Sequence, residues 1–219
     1  MHYHATPEDH AVLEKKGFLL VDSGATYMDG TTDITRTYPL GPLTEDEKRF
    51  YTWTLQSHID LAKAVWLNYC ECKMIDTIAR EPLWRHLINY RCGTGHSVSF
   101  VGNVHEGPHS LRGTNSVLMR PGMVVTDEPG VYETDLVGIR IENELVCVHK
   151  ADNQYGTFLG FEPLMFVPIA TSPILPGVLD KDEIAWLNDY HRQVFAKLAP
   201  HLNDEERSWL AEKCAAIGC

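Results

Sequence analysis

The sequence predicts an α+β fold in which helices flank an antiparallel β-sheet. Residues 17–38 are predicted to form a β-hairpin, because an apolar run and a β-branched run lie on either side of a glycine-containing turn. Residues 91–148 are rich in glycine and β-branched residues and contain no long amphipathic helix, which indicates further strands and loops. Apolar residues recur with helical periodicity in two further places, namely between these two regions and in the last part of the chain.

Two helices are predicted between the hairpin and the second strand-rich region. The first begins at the capping box formed by Thr44 and Glu47 and keeps one apolar face to about residue 68. The second covers roughly residues 74–89 and is interrupted at Pro82, which cannot donate a helical hydrogen bond. Three apolar residues near its end are expected in the core: Trp84, Leu87 and Ile88.

Later strands are predicted at residues 123–126, 138–148 and 164–169. The second of these alternates strictly, with one face formed by Ile139, Ile141, Asn143, Leu145 and Cys147. Two helices are expected to close the chain, because capping boxes begin at Asp180 and at Asn203 ahead of apolar periodic residues.

Composition narrows the class of protein. A chain of 219 residues with 44% hydrophobic and 22% charged residues suits one globular domain with a substantial core. The net charge of −11 argues against binding nucleic acid or an anionic membrane through a basic face. No apolar run approaches a membrane span, and residues 1–4 do not resemble a signal peptide, so a cytoplasmic location is expected. The six cysteines show no metal-finger spacing and are expected to stay reduced.

The opening hairpin carries two carboxylates that are candidate metal ligands. Asp22 ends the first apolar run and Asp33 lies in the second strand, eleven residues later. Because a hairpin returns the chain to its start, both carboxylates can face one point, as the oxygen ligands of a divalent metal do. Ordinary turn chemistry explains the same residues equally well, so the hairpin alone leaves both interpretations open.

Three residues further along the chain extend the set. His96 lies among small residues, Glu128 follows a predicted strand, and Glu142 lies inside a half-apolar strand. Each alone is explained by a structural role, such as a salt bridge between Glu142 and Arg140. Together with the hairpin they give four carboxylates and one imidazole, which suits two divalent ions better than one structural zinc. Oxygen-rich ligation favours Mn²⁺, with Zn²⁺, Co²⁺ or Fe²⁺ as competitors.

The motifs resemble the metallopeptidase family with the pita-bread fold, which contains methionine aminopeptidase, prolidase, creatinase and aminopeptidase P. The family's ligands follow the order Asp, Asp, His, Glu and Glu, with ten residues between the first two. The resemblance to the aminopeptidase P branch rests on residues 22–24, 29–37, 93–96, 103–108, 126–130, 138–143, 161–164 and 186–191. These strings span essentially the whole chain in the family's order, which makes the signal far more specific than any one motif.

The resemblance implies a role for each predicted metal ligand. Asp22 would chelate one ion, and Asp33 and Glu142 would bridge both. His96 and Glu128 would complete the second site. A hydroxide bridging the two ions would be the nucleophile.

Four further roles follow from the same resemblance. Glu128 would also act as the general base. His2, twenty residues before Asp22, and His105 match the family's two active-site histidines. Arg140 would orient a bridging carboxylate from outside the ligand shell.

The implied reaction is hydrolysis of the bond between an N-terminal residue and a following proline, so the expected partners are peptides with proline at the second position. The alternatives are a prolidase-type Xaa-Pro dipeptidase and a non-catalytic, truncated fragment of such an enzyme. The family often dimerises, which makes a homodimer an expected assembly.

Departures from the family pattern concern pocket residues and length. Many relatives have histidine where this chain has Cys92, and often glycine where it has Ser97 and Ser99. Residues 1–172 are expected to form a catalytic domain that lacks its beginning, with residues 173–219 as a helical extension packed on it. Exposed apolar surface and an unpaired strand edge are then expected.

Overall fold

A long β-hairpin opens the fold in the computed structural model, which describes residues 5–218. Its strands β1 (Phe18–Tyr27) and β2 (Gly30–Pro39) pair antiparallel in one continuous register. Strand β2 is largely buried, whereas β1 is exposed from Val21 onward. Within the described residues β1 pairs with β2 alone, so the expected hairpin and its unpaired edge are both present.

Helix α1 (Glu45–Ala62) begins at the predicted capping box, in which Thr44 and Glu47 bond each other's backbone N–H groups. The helix ends six residues before the predicted position. A short strand, β3 (Val65–Leu67), follows it and joins the edge of the main sheet. The apolar residues there therefore serve a strand rather than a last helical turn.

Helix α2 (Cys72–Trp84) starts earlier than predicted and continues through Pro82, which is buried within it. The expectation of an interruption at this proline is therefore wrong, although the helix ends two residues later. Trp84 and Leu87 are 43% and 96% exposed, so the prediction that they belong to the core is wrong as well. Leu87 has a positive φ of 60° in the turn after the helix.

The main sheet has four antiparallel strands in the order β3, β10, β9, β6. The other members are β6 (Val124–Asp127), β9 (Asn143–Asn153) and β10 (Gly156–Pro163). Two small pairs lie beside it. They are β4 (Gly95–His96) with β5 (Ser110–Leu111), and β7 (Gly130–Glu133) with β8 (Val137–Arg140).

The predicted strand at residues 138–148 is divided between two sheets. Strand β8 ends at Arg140 and β9 begins at Asn143, so Ile141 and Glu142 lie between them. The physical reason is a change of hydrogen-bonding partner, since the Glu142 N–H donates to the Thr35 carbonyl of β2 at 3.1 Å. This contact fixes the break in the strand beside the hairpin.

Residues 164–169 do not form the predicted strand. Their backbone groups bond to side chains, which can replace a strand ladder. The Val167 carbonyl accepts a hydrogen bond from Arg36, and the Ile169 N–H donates to Nε2 of His191. The segment is ordered by this packing rather than by β-pairing.

Helices α3 (Lys181–Leu198) and α4 (Asp204–Lys213) confirm the two predicted tail helices, and a 3-10 turn (Ala199–His201) joins them. Both helices start with the expected capping boxes. The tail shares one apolar cluster with α1 and β8, which includes Leu55, Ile59, Ile139, Ile141, Ile184, Leu187, Val194 and Leu210. No helix within residues 5–218 has the length and apolar character that a membrane span requires.

We expect His191 to make folding stability depend on pH. Its ring is fully buried, and burial together with the nearby Arg36 charge lowers its pKa to about 4. The unfolded chain, with an ordinary histidine pKa, binds the additional proton between about pH 6.5 and pH 4. The contribution of His191 to the free energy of unfolding is therefore fully present above this window. It falls by about 2–3 kcal/mol as the pH drops through the window.

Urea unfolding of the unaltered chain and of His191→Gln, measured from pH 7.5 to pH 4.5, checks this expectation. Glutamine keeps an acceptor for the Ile169 N–H but does not titrate. The stability difference between the two proteins should shift in favour of the variant as the pH falls. Parallel pH profiles would show that His191 does not contribute.

Candidate metal centre

A cleft of about 1220 Å³ lies between the hairpin and the small strand pairs. All five predicted ligands line it, together with two further predicted site residues, and they are Asp22, Asp33, His96, His105, Glu128, Arg140 and Glu142. They come from six separate parts of the fold. The fold therefore brings together residues that the sequence separates by up to 120 positions.

Three of the predicted ligands form a compact group on the floor of the cleft. Asp33 projects from β2, His96 from β4, and Glu142 from the break between β8 and β9. One ligand atom from each residue lies within 4.8 Å of the others. Atoms at this spacing are close enough to be ligands of a single cation.

Glu128 adjoins this group from the end of β6. Its Oε1 atom lies 3.4 Å from Nε2 of His96, and the Thr126 hydroxyl donates a 3.3 Å hydrogen bond to the same oxygen. The Glu128 N–H donates to the Thr94 carbonyl at 2.7 Å, which ties the turn to the strand that carries His96. The glutamate is thus held at the open side of the group.

Asp22 lies in the same cleft but outside the compact group. Its Oδ2 atom accepts a 2.5 Å hydrogen bond from Nη2 of Arg140, and its side chain is 48% exposed. Register within the hairpin places Asp22 opposite Thr35 and Asp33 opposite Gly24, so the two carboxylates leave the hairpin two residue pairs apart.

Arg140 does not form the simple salt bridge to Glu142 that the sequence allows. Its Nε donates to the Thr35 hydroxyl at 3.0 Å, and that hydroxyl donates to Oε2 of Glu142 at 2.5 Å. Its Nη1 donates to the Tyr132 hydroxyl, also at 2.5 Å. Arg140 therefore forms ion pairs with two predicted ligands, closely with Asp22 and at 3.9 Å with Oε2 of Glu128, and reaches Glu142 through Thr35.

The carboxylates repel one another in this arrangement. Burial, followed by the charges of Glu128 and Asp33, raises the pKa of Glu142 well above its usual range. Burial also raises the pKa of Glu128 to about 7, although His96 and Arg140 oppose the shift. A cation bound among these oxygens would relieve that repulsion, so the donor set fits divalent metal ions.

Of the two predicted active-site histidines, the structure describes His105. His105 lies on the exposed loop after β4, with its ring edge-on to His96 at a centroid separation of 3.9 Å. Partial burial and the neighbouring His96 lower the pKa of His105. His2 lies outside the described residues.

Several contacts of the centre were not anticipated from the sequence. Thr35 and Tyr132 hold Arg140 and Glu142 in place, and Glu144 lies behind Asp33 with its carboxylate buried. Burial and the Asp33 charge raise the pKa of Glu144 to about 7. Alternation along the strand puts Glu144 on the same face as Glu142, which is the one sequence signal that could have indicated it.

The antiparallel fold and the carboxylates that line the cleft agree with the metallopeptidase resemblance found in the sequence. The chain belongs to metallopeptidase family M24, whose profile matches residues 1–149. The C-terminal region of peptidase M24 matches residues 157–217.

Individual relatives support the resemblance to the aminopeptidase P branch. A probable Xaa-Pro aminopeptidase P of Coprinopsis cinerea is 40% identical over 225 residues, covering 99% of this chain and 36% of that protein. Aminopeptidase P1 of Lotus japonicus is 42% identical, covering 100% of this chain and 34% of that protein. The chain thus spans about a third of the length of the curated relatives that it matches.

Solved structures confirm the pita-bread fold. The crystal structure of X-prolyl aminopeptidase from Caenorhabditis elegans, described as a cytosolic enzyme with a di-nuclear active site, matches with a TM-score of 0.85 and 39% identity. The match covers 90% of this chain and 33% of that one. Prolidase from Pyrococcus furiosus matches with a TM-score of 0.59 and 28% identity, over 69% of this chain and 42% of that one.

Proposed function

We propose that the chain forms the metal-binding part of an Xaa-Pro aminopeptidase, which hydrolyses the bond between an N-terminal residue and a following proline. The observation that carries the proposal is the convergence of Asp33, His96 and Glu142 on the floor of a cleft that Asp22 and Glu128 also line. In this proposal residues 1–172 make up the catalytic part and residues 173–219 support it.

Two divalent ions, with Mn²⁺ the first candidate, would be held by the five side chains that line the cleft. Asp33, His96 and Glu142 would supply the compact part of this ligand set, and Glu128 and Asp22 would complete it from the same cleft. When bound, such ions supply a nucleophilic water near neutral pH and stabilise negative charge that develops on the scissile carbonyl.

Protein groups would perform the remaining steps. Glu128, whose Oε1 atom lies 3.4 Å from Nε2 of His96 beside the compact group, would be placed to accept a proton from the attacking water. Arg140 would hold Asp22 through the 2.5 Å contact and Glu142 through Thr35. His105 lies over the centre on an exposed loop, where a substrate peptide could accept or donate a hydrogen bond.

Activity of the 219-residue chain on Xaa-Pro-Yaa tripeptides with added Mn²⁺ is the direct test. We expect release of the N-terminal residue and slower cleavage, by at least about tenfold, when alanine replaces the proline. His105→Ala should lower the rate with Mn²⁺ binding retained, because the residue lies on the open face of the centre. A folded chain that binds Mn²⁺ but releases no amino acid would contradict the proposal.

A prolidase-type dipeptidase is the second candidate, since prolidase structures share the fold. The greater structural likeness to X-prolyl aminopeptidase favours the first candidate. Rates on Xaa-Pro and on Xaa-Pro-Yaa distinguish the two, because a dipeptidase should prefer the shorter substrate.

A further inference from the structure

A buried polar network lies behind the candidate metal centre, on the far side of the strands that carry its glutamates. Its members are Arg36 on β2, His58 on α1, Asp127 at the end of β6 and Asn143 at the start of β9. All four side chains are buried, and His58, Asp127 and Asn143 are completely so. We refer to these four residues as the rear network.

The hydrogen bonds of the rear network run in one direction. Arg36 can only donate, and its Nη2 donates to Oδ1 of Asn143 at 2.8 Å. The amide nitrogen of Asn143 therefore points to His58 and donates to Nε2 at 3.4 Å. With Nε2 accepting, Nδ1 carries the proton and donates to the Asp127 carbonyl oxygen at 3.3 Å, with Oδ2 of the same residue 3.0 Å away.

The network joins two opposite charges through two neutral side chains. Arg36 makes its hydrogen bonds to carbonyl oxygens, to Asn143 and to the Tyr190 hydroxyl. The carboxylate of Asp127 has no hydrogen-bond partner in residues 5–218 apart from this contact with His58. The network thus links the buried guanidinium of Arg36 to the buried carboxyl group of Asp127.

The position of the network along the chain connects it to the metal centre. Asp127 and Asn143 are directly paired across β6 and β9. Each is the immediate sequence neighbour of a predicted ligand, Glu128 in one case and Glu142 in the other. Because His58 contacts both, it fixes the two peptides from which these glutamates extend.

We propose that His58 is a positioning residue that sets the spacing of Glu128 and Glu142 for metal binding, without contacting metal or substrate. The inference rests on the proposed function, since it assumes that these glutamates bind metal. Groups behind a ligand shell commonly change metal affinity about 10–100-fold when they are removed. His58→Ala should therefore weaken Mn²⁺ binding by at least about tenfold.

Calorimetric titration of the full chain with Mn²⁺ alone provides the test, with Ile59→Ala as the matched control. Ile59 is the next residue of α1, is equally buried, and packs in the apolar cluster. The Ile59→Ala variant should have a lower thermal stability, as His58→Ala should, but its Mn²⁺ affinity should stay within about twofold of that of the unaltered chain. His58→Asn, whose amide can replace Nδ1 as the donor to Asp127, should restore most of the lost affinity.

Nitrogen NMR of the unaltered chain gives a readout that does not depend on any variant. The network requires His58 to carry its proton on Nδ1, and a ring protonated on Nε2 would overturn the inference. Equal Mn²⁺ affinities for His58→Ala and Ile59→Ala would also overturn it, while leaving the proposed function intact. If the unaltered chain binds no Mn²⁺, both the inference and the proposed function fail.

Discussion

Replacing Glu142 with glutamine is expected to stabilise the metal-free chain while greatly weakening metal binding. The Glu142 carboxylate is buried beside Glu128 and Asp33, and this environment raises its pKa well above the usual range. A neutral amide removes the repulsion, and its oxygen can still accept the hydrogen bond from Thr35. We expect the variant to have a higher free energy of unfolding than the unaltered chain at pH 8, because the neutral amide avoids the cost of burying an ionised carboxylate beside Glu128 and Asp33.

The same change removes a charged ligand from the centre of the site. Affinity for Mn²⁺ should fall at least about 100-fold, since losing a ligand costs more than losing a group behind it. Urea unfolding in the presence of a chelator measures the first effect, and calorimetry with Mn²⁺ measures the second. We expect a higher free energy of unfolding in the first experiment and a weaker Mn²⁺ affinity in the second.

Glu162→Gln is the matched control, because this glutamate lies on an exposed face of β10 and faces Lys150 at 3.5 Å. It should change stability by less than about 0.5 kcal/mol and leave Mn²⁺ binding unchanged. If Glu142→Gln destabilises the metal-free chain, the four carboxylates do not repel one another as the geometry indicates.

Local sequence signals predicted the hairpin and the helix starts well. The hairpin follows from two strand-forming runs around a glycine turn, and three capping boxes appear where Thr44, Asp180 and Asn203 indicated them. These features depend on neighbours in sequence, so a reader of the sequence has all the information needed. The five candidate ligands in the cleft were also predicted, from residue type and placement, whereas His105 and Arg140 were predicted from the family resemblance.

Features that depend on distant partners were missed. Strict alternation over residues 138–148 suggested one strand, but Glu142 bonds to Thr35 of the hairpin and the strand divides there. The apolar run at residues 164–169 suggested a strand, but its backbone groups bond to Arg36, Tyr190 and His191. Neither outcome could be seen without knowing which side chains the fold brings to these segments.

Arg36 is expected to be the side chain whose loss most destabilises the fold. It is 3% exposed and donates hydrogen bonds to five different residues besides Thr35, which are Glu142, Asn143, Val167, Pro168 and Tyr190. Arg36→Met keeps much of the side-chain volume but leaves these buried acceptors without a donor. We expect a loss of about 3–5 kcal/mol in the free energy of unfolding, measured by urea denaturation.

Two further variants separate the geometry of Arg36 from its charge. Arg36→Lys keeps the charge but replaces the planar fork with one ammonium group, which cannot reach acceptors on β2, β9 and the segment before α3 together. It should therefore recover less than half of the loss. Arg49→Met removes an exposed arginine paired with Asp46, and should cost less than about 1 kcal/mol. If Arg36→Lys recovers all of the lost free energy of unfolding, the charge alone matters. The irregular segment at residues 164–169 would then not depend on the guanidinium group that joins it to the hairpin.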